Sequence, residues 1–268
     1  MRPMMWTTAG RRRNRLPAVV GVIAAIVLFA GIVVLFGRSP DNRAVALPPT
    51  TTTTSTTTTT TAPQPVVPVS TDIATPVTSL IPIYDVPGGQ AAGTAGVWYG
   101  YKISMPVVEA AGEWLRIRLP TRPNGSTAWV AAKDVTLSST PYRIVVTRSQ
   151  TVLTVYKSGF PAFTLPVGLG VARTPTPTGN FFVAIVEQPG PAGYGPLVLD
   201  TSAHSEAIQS WEGTGDAVIA VHGPITAGAD AQIGYTGAYV SNGCIRLHTD
   251  DQLKLEGIPA GTPLDVVD

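Results

Sequence analysis

Ser241-Asn242-Gly243-Cys244-Ile245-Arg246-Leu247 holds the only cysteine of the chain, and its reading decides how the rest is understood. A lone thiol cannot form an intramolecular disulfide, so it is either a buried small hydrophobe or a reactive group. Gly243, just ahead of the thiol, permits an unusual backbone angle and the close approach of a second molecule. Upstream, Val218-Ile219-Ala220-Val221 reads as a buried strand that delivers His222 at its end, followed by Gly223. A thiol becomes a strong nucleophile when a nearby imidazole lowers its pKa or takes its proton. Adjacent strand ends would bring His222 and Cys244 within hydrogen-bonding reach. The N–H groups of Gly243 and Cys244 would then converge as an oxyanion hole. Local chemistry alone leaves the inert buried thiol and the nucleophile both open.

Working outward, residues 141–268 read as β-rich. Arg143–Val146, Thr151–Tyr156, Phe163–Val167, Phe181–Val186, Ala217–Val221 and Pro263–Val267 are the expected strands. One short helix is expected at Asp250–Leu255, with Thr249 as its N-cap. Ahead of this region, residues 75–140 carry short apolar runs broken by turn signals. Trp114 to Arg118 alternates apolar and polar positions, the period of a half-buried strand. The order Gly112-Glu113-Trp114-Leu115-Arg116-Ile117, a turn, then Ala128-Trp129-Val130 resembles bacterial SH3-like domains of cell-wall proteins. Trp98, Tyr99 and Tyr101 suit either a ligand groove or packing in a core or domain interface.

The N-terminal part has a different character. Arg11, Arg12, Arg13 and Arg15 precede an uninterrupted apolar run from Leu16 to Phe36. A run of about 20 apolar residues can cross a bilayer as a helix, and the arginines keep the short tail in the cytoplasm. The expectation is a cytoplasmic tail at 1–15 and a transmembrane signal anchor at 16–37, with the remainder exported. A cleaved signal peptide is the rival, since Ala44-Val45-Ala46 fits a small-x-small cleavage site. Thr50 to Thr61 is threonine throughout except Ser55, with prolines following. Such a tract has nothing to bury, so 38–74 is expected to be a disordered spacer. The predicted fold class is therefore mainly β: an anchor, a small SH3-like β-barrel, and a second β-rich domain.

Several functions are excluded. The formal net charge is +1 without a clustered basic patch, which argues against nucleic-acid binding. His204, His222 and His248 lack partners at ligand spacing, so no zinc site is expected. No glycine-rich loop follows a strand and opens a helix, so no nucleotide cofactor is indicated. No cofactor of any kind is expected, and a monomer is the default. His204 suits either the lining of a substrate cleft or a surface loop, and the loop is the expectation.

The region from Tyr142 to Asp268 resembles the L,D-transpeptidase catalytic domain family (YkuD-like). The resemblance rests on His222-Gly223 and Ser241-Asn242-Gly243-Cys244-Ile245-Arg246. Two further segments agree: Thr176-Pro177-Thr178-Gly179-Asn180-Phe181 and Gly195-Pro196-Leu197-Val198-Leu199. It implies that Cys244 attacks the carbonyl joining the third and fourth residues of a peptidoglycan stem peptide, releasing a D-amino acid. His222 would act as base and then acid, with the Gly223 carbonyl holding its other ring nitrogen. The acyl group would pass to the side-chain amine of a second stem. Ser241, Asn242, Gly243 and Arg246 would contact substrate or line the oxyanion site. Arg246 would share the face of Cys244, either orienting a substrate carboxylate or stabilising the loop. The family's usual His before Gly-Cys is Asn242 here, which leaves open an inactive wall-binding protein that keeps the fold. A sortase would need a Thr-Leu-x-Thr-Cys strand, which is absent from the sequence. A papain-like hydrolase places Cys before His, the reverse of this order.

Overall fold

The computed structural model describes Gln64, residues 66–234 and residues 238–268. The expected cytoplasmic tail, the anchor at 16–37 and most of the threonine-rich spacer lie outside the described residues. Among the described residues, no helix is long and apolar enough to cross a membrane.

The first module has nine strands. They are β1 (Thr71–Pro76), β2 (Ile81–Tyr84), β3 (Ala91–Ala95), β4 (Val97–Trp98), β5 (Tyr101–Lys102), β6 (Met105–Ala111), β7 (Trp114–Arg118), β8 (Thr127–Ala131) and β9 (Val135–Thr140). Seven form an antiparallel sheet in the order β3-β2-β8-β7-β6-β1-β9, and β4 and β5 make a separate hairpin. In β7 the buried residues are Leu115 and Ile117, as the alternation in the sequence requires. The sheet begins at Thr71, inside the stretch read as spacer. There β1 pairs along its whole length with β9, from Thr71 opposite Thr140 to Pro76 opposite Val135. Ile73 and Ala74 are buried, which gives this short segment an apolar surface to cover.

Only Pro141 separates β9 from the second module. Its strands are β10 (Tyr142–Thr147), β11 (Val152–Lys157), β12 (Phe160–Pro166), β13 (Leu169–Gly170), β14 (Gly179–Glu187), β15 (Val198–His204), β16 (Val218–His222), β17 (Tyr239–Ser241), β18 (Ile245–Arg246) and β19 (Pro263–Val267). Eight form one sheet, β12-β11-β10-β19-β14-β15-β16-β18, and β13 pairs with β17. Two neighbouring pairs in the large sheet run parallel, β10 with β19 and β16 with β18. The helices are single turns, α1 (Ala227–Asp230) and α2 (Thr249–Gln252), the latter continuing as a 3-10 turn over Leu253–Leu255. Thr249 is thus the first helical residue rather than the cap. His248 holds the cap position and makes no side-chain capping bond.

Strand β14 joins the two modules. Phe181 and Val183 pack into the core of the second module with Ile144, Leu153 and Leu199. Phe182 and Ala184, on the opposite face, pack into the core of the first with Ile81, Met105 and Ile117. Successive side chains of a strand point to opposite faces, so one strand serves two cores. Its continuous apolar run, Phe181 to Ile185, is what a strand buried on both faces needs.

Polar contacts at the same junction fix His204. The sequence suggested a surface loop, but His204 is buried at 1% exposure at the end of β15. Its Nδ1 lies 3.0 Å from Asp216 Oδ1, and its Nε2 lies 3.0 Å from the Pro120 carbonyl of the first module. The Asn124 amide exchanges two 2.8 Å bonds with the His204 backbone. Arg122 reaches Asp216 at 3.0 Å and the Ser205 carbonyl at 2.9 Å. A buried imidazole needs partners on both nitrogens, and the neighbouring module supplies one of them.

Because Phe182 is fully buried against the first module, Phe182→Ala should cost about 3–5 kcal/mol. Urea unfolding followed by hydrogen exchange in each module should remain coincident in wild type. Two separated transitions would contradict the shared strand.

Candidate active site

The site lies where β15, β16 and β18 run side by side. Val221 is in register with Ile245, and His222 with Arg246. Cys244, just before β18, therefore sits level with Ala220, and the Ala220 N–H points at its Sγ at 3.5 Å. Alternation along the two strands puts Ala220, His222, Cys244 and Arg246 on one face. All four line a cavity of about 240 Å³, together with Tyr194, Asp200, Trp211, Ser241 and Asn242.

The backbone around Cys244 is held by short, specific bonds. Ser241 Oγ donates to the Cys244 carbonyl at 2.6 Å and accepts from the Gly243 N–H at 3.1 Å. Thr176 Oγ1 donates to the Gly243 carbonyl at 2.7 Å and accepts from the Gly170 N–H at 2.9 Å. Gly243 has φ +127, and a Cβ there would meet Ile219 Cδ1 at 2.8 Å. Only glycine fits this turn without strain. The expected pairing of the Gly243 and Cys244 N–H groups as an oxyanion hole is corrected for Gly243. Its N–H donates to Ser241 Oγ instead.

His222 is 1% exposed. Its Nδ1 lies 2.6 Å from the Gly223 carbonyl. A carbonyl only accepts, so Nδ1 carries the proton and Nε2 is the basic nitrogen. Tyr194 packs edge-on against the ring, with centroids 4.8 Å apart. Sequence reasoning missed what holds this arrangement, which is Gln252 of α2. Its Nε2 donates to the Tyr194 carbonyl at 2.9 Å and to the Leu197 carbonyl at 2.5 Å. The Gly223 N–H also donates to the Tyr194 carbonyl, at 2.9 Å. A Cβ at Gly223 would meet Gln252 Oε1 at 2.6 Å, so the close approach depends on glycine. No local signal distinguishes Gln252 from any other polar residue in a short helix.

No hydrogen bond joins Cys244 Sγ to His222, contrary to expectation. The thiol faces the Ala220 N–H and, at 4.0 Å, the Val218 carbonyl. Cys244 keeps part of its surface open to the cavity, yet the protein packed around its sulfur raises the thiol's pKa. Burial likewise pushes His222 down to about 4, opposed by the Gly223 bond and reinforced by the charge of Arg246. The pair therefore rests uncharged. Arg246 donates to the Val240 carbonyl at 3.1 Å, while its Nε is buried without a partner. It ties the loop and still lines the cavity. Asn242 is exposed at the cavity rim. Among the described residues, no group of His, Cys, Asp and Glu is arranged to hold a metal ion.

Residues 141–265, nearly half of the chain, match the model of the YkuD L,D-transpeptidase catalytic domain. This segment is a domain of that family. The YkuD proteins of Bacillus licheniformis and Bacillus subtilis (strain 168) are each 32% identical over 128 residues, or 47% of this chain. The chain spans 66% of the length of these relatives. Among solved structures, an L,D-transpeptidase from Mycobacterium smegmatis has a TM-score of 0.36 at 18% identity, covering 63% of this chain and all of that one. L,D-transpeptidase 3 from Mycobacterium tuberculosis has a TM-score of 0.38 at 17% identity, covering 62% and 92%.

A histidine held near 4 in the folded state takes its proton first when unfolded, at about 6.5. Its contribution to stability is present above 6.5 and lost as pH falls toward 4, on the order of 3 kcal/mol. Asp200, raised to about 6 by burial and then by Glu187, acts oppositely, losing its contribution as pH rises through 6. Unfolding of wild type and His222→Gln measured from pH 7 to pH 4 should therefore differ by a slope in that window. Parallel curves would contradict the buried neutral imidazole.

Proposed function

We propose that the protein is a peptidoglycan L,D-transpeptidase with Cys244 as nucleophile and His222 as general base and acid. The observation that carries this reading is the Gly223 carbonyl bond to Nδ1, which leaves a basic Nε2 in the cavity that holds the thiol. On substrate entry the thiol turns from Val218 toward His222, and catalytic hydrogen bonds commonly tighten only in the complex. Sγ attacks the stem-peptide carbonyl as its proton passes to Nε2. The Cys244 N–H stabilises the oxyanion. Nε2 then returns the proton to the departing D-amino acid amine, leaving a thioester on Cys244. The side-chain amine of a second stem attacks that thioester, its proton passes to Nε2, and the thiolate leaves and is reprotonated. Arg246, with unspent donors at the cavity wall, suits a substrate carboxylate.

In this reading the N-terminal apolar run anchors the protein in the membrane, the threonine-rich spacer crosses toward the wall, and the protein acts as a monomer without a cofactor. The first module is read as SH3-like, from its sequence pattern and its small antiparallel sheet. A second reading, a wall-binding protein that keeps the fold without turnover, draws on Asn242 and the missing thiol–imidazole bond. Incubation with a carbapenem separates the two, because opening its strained lactam requires an activated thiol. Intact mass should show one adduct on wild type and none on Cys244→Ala. His222→Ala should acylate about 100-fold more slowly or worse. A wild type that stays unmodified would leave the wall-binding reading standing.

A further inference from the structure

A second cavity, of about 280 Å³, opens directly onto the thiol cavity. Glu187, Asp200, Trp211 and Val218 line both. Its far wall comes from the first module, where Trp98, Tyr99 and Tyr101 sit on the β4–β5 hairpin. Trp98 is half-buried and packs edge-on against His204, with centroids 6.1 Å apart. Tyr99 and Tyr101 are instead about half exposed, at 53% and 49%. Their hydroxyls donate to carboxylates of the second module, Tyr99 to Asp216 at 3.1 Å and Tyr101 to Glu187 at 3.2 Å.

Strand register fixes the direction in which this cavity faces. Ile185 of β14 pairs with Asp200 of β15, Asp200 pairs with Ala220 of β16, and Ala220 touches Cys244 Sγ. Paired residues share a face, so Asp200 lies two strand spacings from the nucleophile, about 10 Å, and points the same way. Glu187, two residues beyond Ile185, is on that face as well. Asp216 is already paired with Arg122 and His204. Among the described residues neither Asp200 nor Glu187 has a basic partner. Burial first, and then the charge of Glu187, pushes the Asp200 carboxyl up to about 6, the direction expected of an acid lacking a cation. Arg246, at the thiol, gives the two cavities together a cationic part and an anionic part.

We propose that the second cavity is the acceptor subsite, taking the side-chain amine of the incoming stem as an ammonium between Glu187 and Asp200, against the aromatic wall of the first module. This rests on the transpeptidase reading and specifies its second half-reaction. An ammonium gains from two carboxylates and from aromatic faces in a partly desolvated space. Before reaction it releases one proton to water, which frees the nitrogen from the carboxylates to cross the roughly 10 Å to the thioester on Cys244. The neutral nitrogen then attacks the thioester carbonyl, its second proton goes to His222 Nε2, and Sγ leaves and takes that proton up. The first module is accordingly part of the site.

The test begins from isolated acyl-enzyme, formed with a tetrapeptide stem, in wild type, Glu187→Gln, Asp200→Asn and Tyr101→Phe. Each is mixed with a stem tripeptide whose third residue carries a side-chain amine, and dimer formation is compared with hydrolysis by water from the same acyl-enzyme. Water carries no charge, so hydrolysis serves as the internal reference, and acylation itself shows that the variant is folded. Glu187→Gln and Asp200→Asn should each raise the acceptor concentration for half-maximal transfer by about tenfold or more. Tyr101→Phe, which only frees Glu187 to move, should raise it by a smaller factor, about twofold. Unchanged acceptor dependence in both carboxylate variants would overturn the subsite while leaving the transpeptidase reading intact. No acyl-enzyme in wild type would overturn the transpeptidase reading and the subsite with it.

Discussion

The structure depends on one constraint: β14 must be apolar on both faces. Phe181 and Val183 belong to one core, Phe182 and Ala184 to the other. Each fully buried Phe or Val removes apolar surface from water worth about 1.5–3 kcal/mol. A strand shared in this way cannot leave one module without exposing side chains of the other. With a single residue, Pro141, between β9 and β10, the two modules are held by packing rather than tethered by a flexible chain. The β4–β5 hairpin is carried on that junction, so the aromatic wall beside the thiol cavity stands in a fixed place.

The candidate catalytic residues are positioned mainly by backbone hydrogen bonds. Ser241 and Thr176 hold the turn around Gly243, and the Gly223 carbonyl selects the tautomer of His222. Gln252 fastens the Tyr194 loop that covers the imidazole. A Cβ would be too close to its neighbours at Gly170, Gly223 and Gly243, which is why glycines recur around the site. Burial leaves both thiol and imidazole uncharged at rest. In the proposed mechanism the nucleophile is generated by proton transfer during attack rather than stored as an ion pair.

Much of this was legible in the residues. The period of two in Trp114–Arg118 gave the buried face of β7, and the run ending in His222 gave β16 nearly to the residue. The His-Gly and Gly-Cys pairs located the cavity because glycines beside reactive groups reflect local backbone needs, which a sequence displays. The two-core role of β14 was missed, although its unbroken apolar run was visible, because a period of one does not say what covers the second face. His204 was misread as a surface residue because both of its partners, Asp216 and Pro120, are set by tertiary structure. Thr176 and Gln252 had no positioning role in the sequence reading for the same reason. The convergence of the Gly243 and Cys244 N–H groups failed because Ser241, two residues earlier, folds back to claim one of them.

The central claim is that Cys244 carries the acyl group of a stem peptide. Its most direct test is the intact mass and peptide map of the protein quenched in acid after brief exposure to a tetrapeptide stem. The account predicts a thioester on the peptide containing Cys244, heavier by the mass of the tetrapeptide less that of its terminal D-amino acid, with one equivalent of that amino acid released. An unmodified Cys244, or an acyl group carried elsewhere, would contradict it.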